Sequence, residues 1–83
     1  MTTILITKQI ESEHGFYFEA TCGKTTAQVA IHSDRVQVIC LNAMHKVARG
    51  PGRVFPSVSA AIQGYKKAEM RAIIEAAADA VSH

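Results

Sequence analysis

The sequence has few cysteines and no long apolar run, and each shortage excludes a class of protein. Its 83 residues include no tryptophan and only two cysteines, Cys22 and Cys40, which are too few for a disulfide scaffold. The opening apolar run, residues 4–6, is too short for a signal-peptide core or a membrane span. We therefore expect a cytoplasmic protein with no membrane partner, whose cysteines are thiols.

The residues that could hold a metal are also scarce and badly spaced. Zinc sites commonly use close pairs of ligands on tight turns, and no close pair of cysteines exists here. Cys40 and His45 lie near each other in sequence, but no third group is evident that would orient the histidine for nucleophilic catalysis. We expect no metal, no cofactor and no catalytic residue, and hence a protein that is not an enzyme.

Composition and alternation predict one α+β domain over residues 1–83. The hydrophobic fraction of 48% with 19% charged residues is typical of a globular chain. Alternating apolar residues predict a four-stranded antiparallel β-meander, N-terminal in the chain and packed on C-terminal helices. The predicted strands cover residues 3–10, 16–22, 25–32 and 35–41. In the first of them, Ile4, Ile6 and Ile10 are expected to share one face.

The turns predict how these strands pair. Gly23-Lys24 fits a two-residue hairpin loop with glycine in the first central position. Pairing Cys22 with Thr25 places Phe18 opposite Val29, and pairing His32 with Arg35 across the Ser33-Asp34 turn places Val29 opposite Val38. Every apolar face coincides in this register, whereas a one-residue slip would turn each set outward.

The second half of the chain predicts helices. Residues 43–49 favour a short helix, with an extended arm as the alternative. Gly50-Pro51-Gly52-Arg53 fits a type II turn, which requires positive φ at Gly52. Ser57 is a suitable N-cap for a helix over residues 57–65, and a second apolar stripe predicts a helix over 68–81. Residues 58–81 could also form one bent helix, but two helices joined near Lys66 are favoured.

Positive charge is concentrated in the middle of the chain. The net charge is only +2, but residues 35–71 hold seven basic residues against Glu69 alone. Arginine forks bind carboxylates and phosphates, so these residues form a candidate binding surface. The partner-binding residues predicted from the sequence are His45, Lys46, Arg49, Arg53, Lys66, Lys67 and Arg71.

Part of this region resembles a known group of viral proteins. The matching residues are the run 40–46, then Arg49-Gly50, Gly52, Phe55, Tyr65-Lys66 and the run 70–74. They resemble small uncharacterised accessory proteins of temperate transposable, Mu-like bacteriophages. The resemblance implies a small phage protein that acts in the cytoplasm of a bacterial host. It carries no catalytic residues.

Two functions remain open at this point. The first is a non-enzymatic phage accessory protein that binds and modulates a host protein or ribonucleoprotein, as an anti-CRISPR-like inhibitor or a host-takeover factor. The second is a direct nucleic-acid-binding protein that uses the basic surface of residues 45–71. The chain has no helix-turn-helix or RNA-binding motif, which favours the first. A homodimer is possible in either case.

Overall fold

The computed structural model describes residues 3–42, 47–48, 50 and 52–81, which form an antiparallel sheet followed by helices. This arrangement confirms the α+β class predicted from the sequence. The elements in chain order are β1 (Ile4–Ser12), β2 (Gly15–Cys22), β3 (Thr25–Ile31), β4 (Val36–Asn42), β5 (Val47–Ala48), β6 (Arg53–Phe55), α1 (Val58–Gln63) and α2 (Ala68–Val81).

The first four strands form the meander, and two short strands extend it. The sheet order is β1-β2-β3-β4-β5, and β6 also pairs with β4. β5 pairs with the last two residues of β4 and β6 with its first three, so these short strands share one edge. The prediction of a helix over 43–49 is therefore wrong for Val47–Ala48, which are extended as in the alternative, because backbone pairing with β4 outweighs helix propensity. Residues 43–46 and 49 lie outside the described residues.

The predicted register of the central strands is confirmed. Phe18 pairs with Val29, and Val29 pairs with Val38 on β4. Gly23 has a φ of +63°, the positive value that the hairpin requires at its first central position. Two faces follow. The inner face carries Phe16, Phe18 and the residues that alternate with them, and the outer face carries Tyr17 and Glu19.

β1 contains a bulge at Thr7 that the alternation of its residues does not reveal. The pairing with β2 shifts between Ile6, opposite Ala20, and Lys8, opposite Glu19. Thr7 is the extra residue, and its Oγ1 lies 2.7 Å from the Glu19 Oε2 atom on the outer face. The bulge reverses the phase of the strand. Ile10 consequently pairs with Tyr17 and shares the outer face, so its predicted position beside Ile4 and Ile6 is wrong.

The helices cover the inner face of the sheet. α2 runs along β2 and β3, and its apolar stripe joins the strands in one buried cluster. Phe18 is completely buried at the centre of that cluster. The buried members that the two helices contribute are Ala61, Met70, Ile73, Ile74 and Ala77.

Local chemistry explains where α1 begins and ends. The Ser57 hydroxyl accepts a hydrogen bond of 3.1 Å from the Ala60 amide, so the predicted N-cap is confirmed. α1 ends at Gly64, where a Cβ atom would clash with the Phe55 ring. Two separate helices result, the alternative that the sequence favours. Among the described residues, both helices fall short of the length and apolar character that a membrane span requires.

The first prediction concerns the register of the sheet. Replacing Phe18 with alanine should lower the free energy of unfolding by about 3–5 kcal/mol, because the substitution opens a cavity between β2, β3 and α2. Tyr17→Ala on the outer face is the matched control and should cost much less, since Tyr17 is only half-buried. Urea unfolding of both variants measures the difference. Equal losses would contradict the assignment of faces.

Candidate functional site

The structure gathers some of the predicted basic residues at one end of the molecule. Lys66 and Lys67 lie between α1 and α2, and Arg71 lies one turn into α2. Lys24, which the sequence analysis did not include, joins them from the β2–β3 turn. Lys24 and Lys67 line the same shallow cavity. We call Lys24, Lys66, Lys67 and Arg71 the basic end. His45, Lys46 and Arg49 lie outside the described residues, so their predicted role stays a prediction.

Glu69 holds the two parts of the basic end together. Thr25 donates a hydrogen bond of 2.8 Å from its hydroxyl to the Glu69 Oε1 atom, and the backbone N–H of Lys24 also donates to this carboxylate. Lys67 places its Nζ atom 3.7 Å from the same Oε1 atom. The first turn of α2 is thereby tied to the β2–β3 hairpin. The carboxylate also lies against Gly23, where any Cβ atom would displace it.

These contacts change the acidity of Glu69. The hydrogen bond from Thr25 has the largest effect and lowers the pKa of the carboxyl group below its ordinary value. Partial burial opposes this shift, while the N–H of Lys24 and the ammonium group of Lys67 reinforce it. The negative charge of Glu69 is thus stabilised by contacts within the chain. The cations around it therefore carry a net positive charge toward solvent.

A small recess opens beside these cations. Its volume is about 100 Å3, and the side chains of Lys24 and Lys67 stand at its rim. Thr26 is buried in its wall, and the Cys40 thiol lies 3.8 Å from the Met70 sulfur atom. The recess therefore combines hydroxyl and apolar walls with a cationic rim. It is lined by Lys24, Thr25, Thr26, Cys40, Leu41, Lys67 and Met70.

Arg53 makes contacts within the chain that its sequence context does not suggest. The guanidinium donates a 2.8 Å hydrogen bond from Nη1 to the Gly64 carbonyl oxygen. It also lies 4.9 Å from the centre of the Phe55 ring and 5.0 Å from that of Tyr65. These contacts tie β6 to the end of α1. Its predicted role in partner binding stays a prediction, but the guanidinium is not free.

The opposite end of the molecule is acidic. Glu11 lies near the end of β1 and Glu13 in the β1–β2 turn, and Asp79 lies in the last turn of α2, which contains no basic residue. Asp34, at the β3–β4 turn, is paired with Arg35 at 3.0 Å. An open cavity of about 300 Å3 lies at this end between the strands and Val81. Among the residues that the structure describes, charge is therefore separated along the direction of the strands.

The described residues offer little support for metal or thiol chemistry. Within them, no group of three or more histidine, cysteine, aspartate or glutamate side chains could hold a metal ion. Burial raises the pKa of the Cys22 thiol, and the nearby Glu69 carboxylate raises it further. A buried thiol with a raised pKa is a poor nucleophile.

The second prediction concerns Arg53. Replacing it with alanine should lower the free energy of unfolding by about 1–2 kcal/mol, because a hydrogen bond and two cation–π contacts are lost together. Lys66→Ala is the control, since Lys66 is exposed and its substitution also removes a positive charge from this region. Chemical denaturation measures both. A loss no greater than that of the control would show that Arg53 is dispensable for folding.

The third prediction concerns the charge of Glu69. A carboxyl group with a lowered pKa stabilises the folded state above its unfolded-state pKa, and that contribution disappears as the pH falls through its folded-state pKa. The Glu69→Gln variant should therefore lose less stability than the wild type on acidification through the carboxyl range. Denaturation at a series of pH values measures this dependence. The control is Glu75→Gln, an exposed site on the same helix, and an identical pH profile for the two variants would contradict the prediction.

No protein-family model, curated protein or solved structure matches this chain.

Proposed function

We propose that this chain is a non-enzymatic binding protein whose basic end engages an acidic surface of a host protein or ribonucleoprotein. The observation that carries the proposal is that Lys24 and Lys67 line one recess, with Lys66 next to Lys67 in the chain and Arg71 one turn into α2. All four side chains are exposed. The acidic residue beside them, Glu69, is engaged by Thr25 and by the Lys24 backbone. Lys67 is also paired with this carboxylate at 3.7 Å, so the four cations keep a net positive charge that is available to a partner.

The separation of charge supports an oriented encounter with that partner. The basic end and the acidic end lie at opposite ends of the strands, and α2 runs between them from Glu69 to Val81. The dipole of α2 points in the same direction as this charge separation, because the positive N-terminus of the helix lies at the basic end. An acidic surface is attracted to one end and repelled by the other. Such a field selects the docking orientation and raises the association rate.

The character of the basic end favours a protein over a bare nucleic acid. Single-stranded nucleic acids are commonly bound by stacking bases on exposed aromatic side chains. Among the described residues, Phe16, Phe18 and Phe55 are buried. Tyr65 packs with Arg53, and Tyr17 lies beside His32. The recess behind Lys24 and Lys67 instead suits a carboxylate side chain, which could reach the lysines from an acidic loop.

The nature of the host is the part of the proposal that rests on the phage resemblance. Residues that resemble accessory proteins of temperate transposable bacteriophages include Tyr65-Lys66 and Arg71, which belong to or adjoin the basic end. A phage protein of this kind would act in the bacterial cytoplasm and would inhibit or redirect a host macromolecule. A CRISPR ribonucleoprotein is one class of partner with the acidic protein surface and the nucleic acid that the proposal requires, and this chain would then be its inhibitor.

The fourth prediction tests the basic end. The wild-type chain is used to capture partners from a bacterial lysate, and the affinity of the captured complex is then measured. Arg71→Glu and Lys24→Glu should each weaken binding by about tenfold or more, since each reverses a charge at the interface. Arg35→Glu is the matched control because it makes the same charge change at the acidic end. It should leave the affinity nearly unchanged.

The same experiment distinguishes the two classes of partner. Capture that survives nuclease treatment supports a protein partner, whereas capture abolished by nuclease supports direct nucleic-acid binding. The salt dependence is a second readout, because a protein that neutralises several phosphates loses affinity steeply as salt rises. Equal weakening by Arg35→Glu and Arg71→Glu would place the binding surface elsewhere.

A further inference from the structure

The free edge of β1 is an interaction surface that the proposed function does not use. β1 is the first strand in the sheet order, and among the described residues β2 is the one strand that pairs with it. Its other edge therefore presents unpaired backbone groups, which can bind another strand. The strand also exposes large apolar side chains on both faces. Leu5 is 64% exposed, Ile6 48% and Ile10 49%.

The bulge at Thr7 gives this edge a symmetric pattern of faces. Ile4 and Ile6 lie on the inner face with Cys22 and Ala20, and Leu5 lies on the outer face with Thr21. After the bulge, Lys8 and Ile10 lie on the outer face and Gln9 on the inner face. The Thr7 hydroxyl also reaches the outer face, where it meets Glu19. The order from residue 4 to residue 11 is inner, outer, inner, outer, outer, inner, outer, inner.

This order reads the same in both directions about a point between Thr7 and Lys8. Two antiparallel strands in one sheet place opposing residues on the same face. Two copies of β1 related by a two-fold axis at that point satisfy this rule at every position. Leu5 then lies opposite Ile10 of the second copy on the outer face, and Ile6 lies opposite its Gln9 on the inner face. The strand is therefore complementary to itself.

We propose that two copies of this chain associate through β1 in this register and form one sheet that is continuous through both. The edge is matched by a second copy of β1, because the order of inner and outer residues along β1 is the same when the strand direction is reversed. The pairing covers Leu5 and Ile10 of both copies, which are otherwise exposed. It also places Lys8 opposite Thr7 of the second copy, so the two lysines do not oppose each other directly.

The register explains a feature that would otherwise oppose association. A lysine and a bulge on an edge strand normally prevent edge-to-edge pairing. Without the bulge, residues 5 and 10 would lie on opposite faces, because an odd separation changes the face of a regular strand. The bulge therefore brings Leu5 and Ile10 onto the same face. This edge is adapted to one specific partner strand and not to strands in general.

Sedimentation velocity of the full chain over a range of concentrations tests the proposal. The wild type should form dimers. Ile10→Lys should weaken the dimer by about tenfold or more, because it replaces the apolar residue opposite Leu5 of the second copy with a charged one. Val54→Lys is the matched control: Val54 is an exposed apolar residue of the outer face on the opposite edge, 61% exposed. It should leave the dimer intact. A monomeric wild type, or equal effects of the two lysines, would overturn the proposal.

Cross-linking tests the register directly and does not depend on the folding of Ile10→Lys. A mixture of Leu5→Cys and Ile10→Cys chains is oxidised, and disulfides are mapped by mass spectrometry to separate them from Cys22 and Cys40. A disulfide should form between positions 5 and 10 of different copies. The control mixture, Leu5→Cys with Gln9→Cys, joins an outer and an inner position and should not cross-link. Equal yields in the two mixtures would exclude the proposed register.

Discussion

Burial of the inner face of the sheet against α2 is the constraint on which the rest of the structure depends. Phe18, Val29 and Val38 lie opposite one another across three strands, and each is completely buried. Their burial requires one register, because a slip by one residue would expose all three. It also requires a helix with a continuous apolar stripe, which Ile73 and Ile74 supply. The positions of the turns, and hence of both charged ends, follow from this packing.

The basic end shows how a packing contact and a binding surface can share residues. Glu69 fixes α2 to the β2–β3 hairpin through Thr25, and the same carboxylate lies among the lysines. The carboxylate accepts its hydrogen bonds from within the chain. Glu69 also pairs with Lys67, so one carboxylate serves four cations and the surface keeps a net positive charge. The mutual repulsion of those cations is part of the energetic cost of holding them there.

The central strands could be predicted from the sequence because their information is local. Alternation from Phe16 to Cys22 and the turn at Gly23 are sufficient to align β2 with β3. The face of Ile10 could not be predicted, since a bulge is defined by the partner strand and not by the residues of the bulged strand alone. The contacts of Arg53 depend on Phe55, Gly64 and Tyr65, which packing brings together.

The candidate site, like the sheet, could be predicted from the sequence only where its residues are close together in the chain. Lys66, Lys67 and Arg71 are close in sequence and remain close in the structure. Lys24 was missed because more than forty positions of chain separate it from Lys67, and the link between them is the tertiary contact of Thr25 with Glu69. Charge counted along a chain finds local clusters. It does not detect a cluster that a hairpin completes from a distant segment.

The contact between Thr25 and Glu69 also indicates the order in which the molecule assembles. It joins residues 44 positions apart, whereas each hairpin of the meander joins strands that are adjacent in the chain. Closing a long loop costs more chain entropy than closing a short one, so the hairpins can form before α2 docks. The basic end is then complete only when α2 has docked. A chain in the last stages of folding would carry the same charges but not yet present them together.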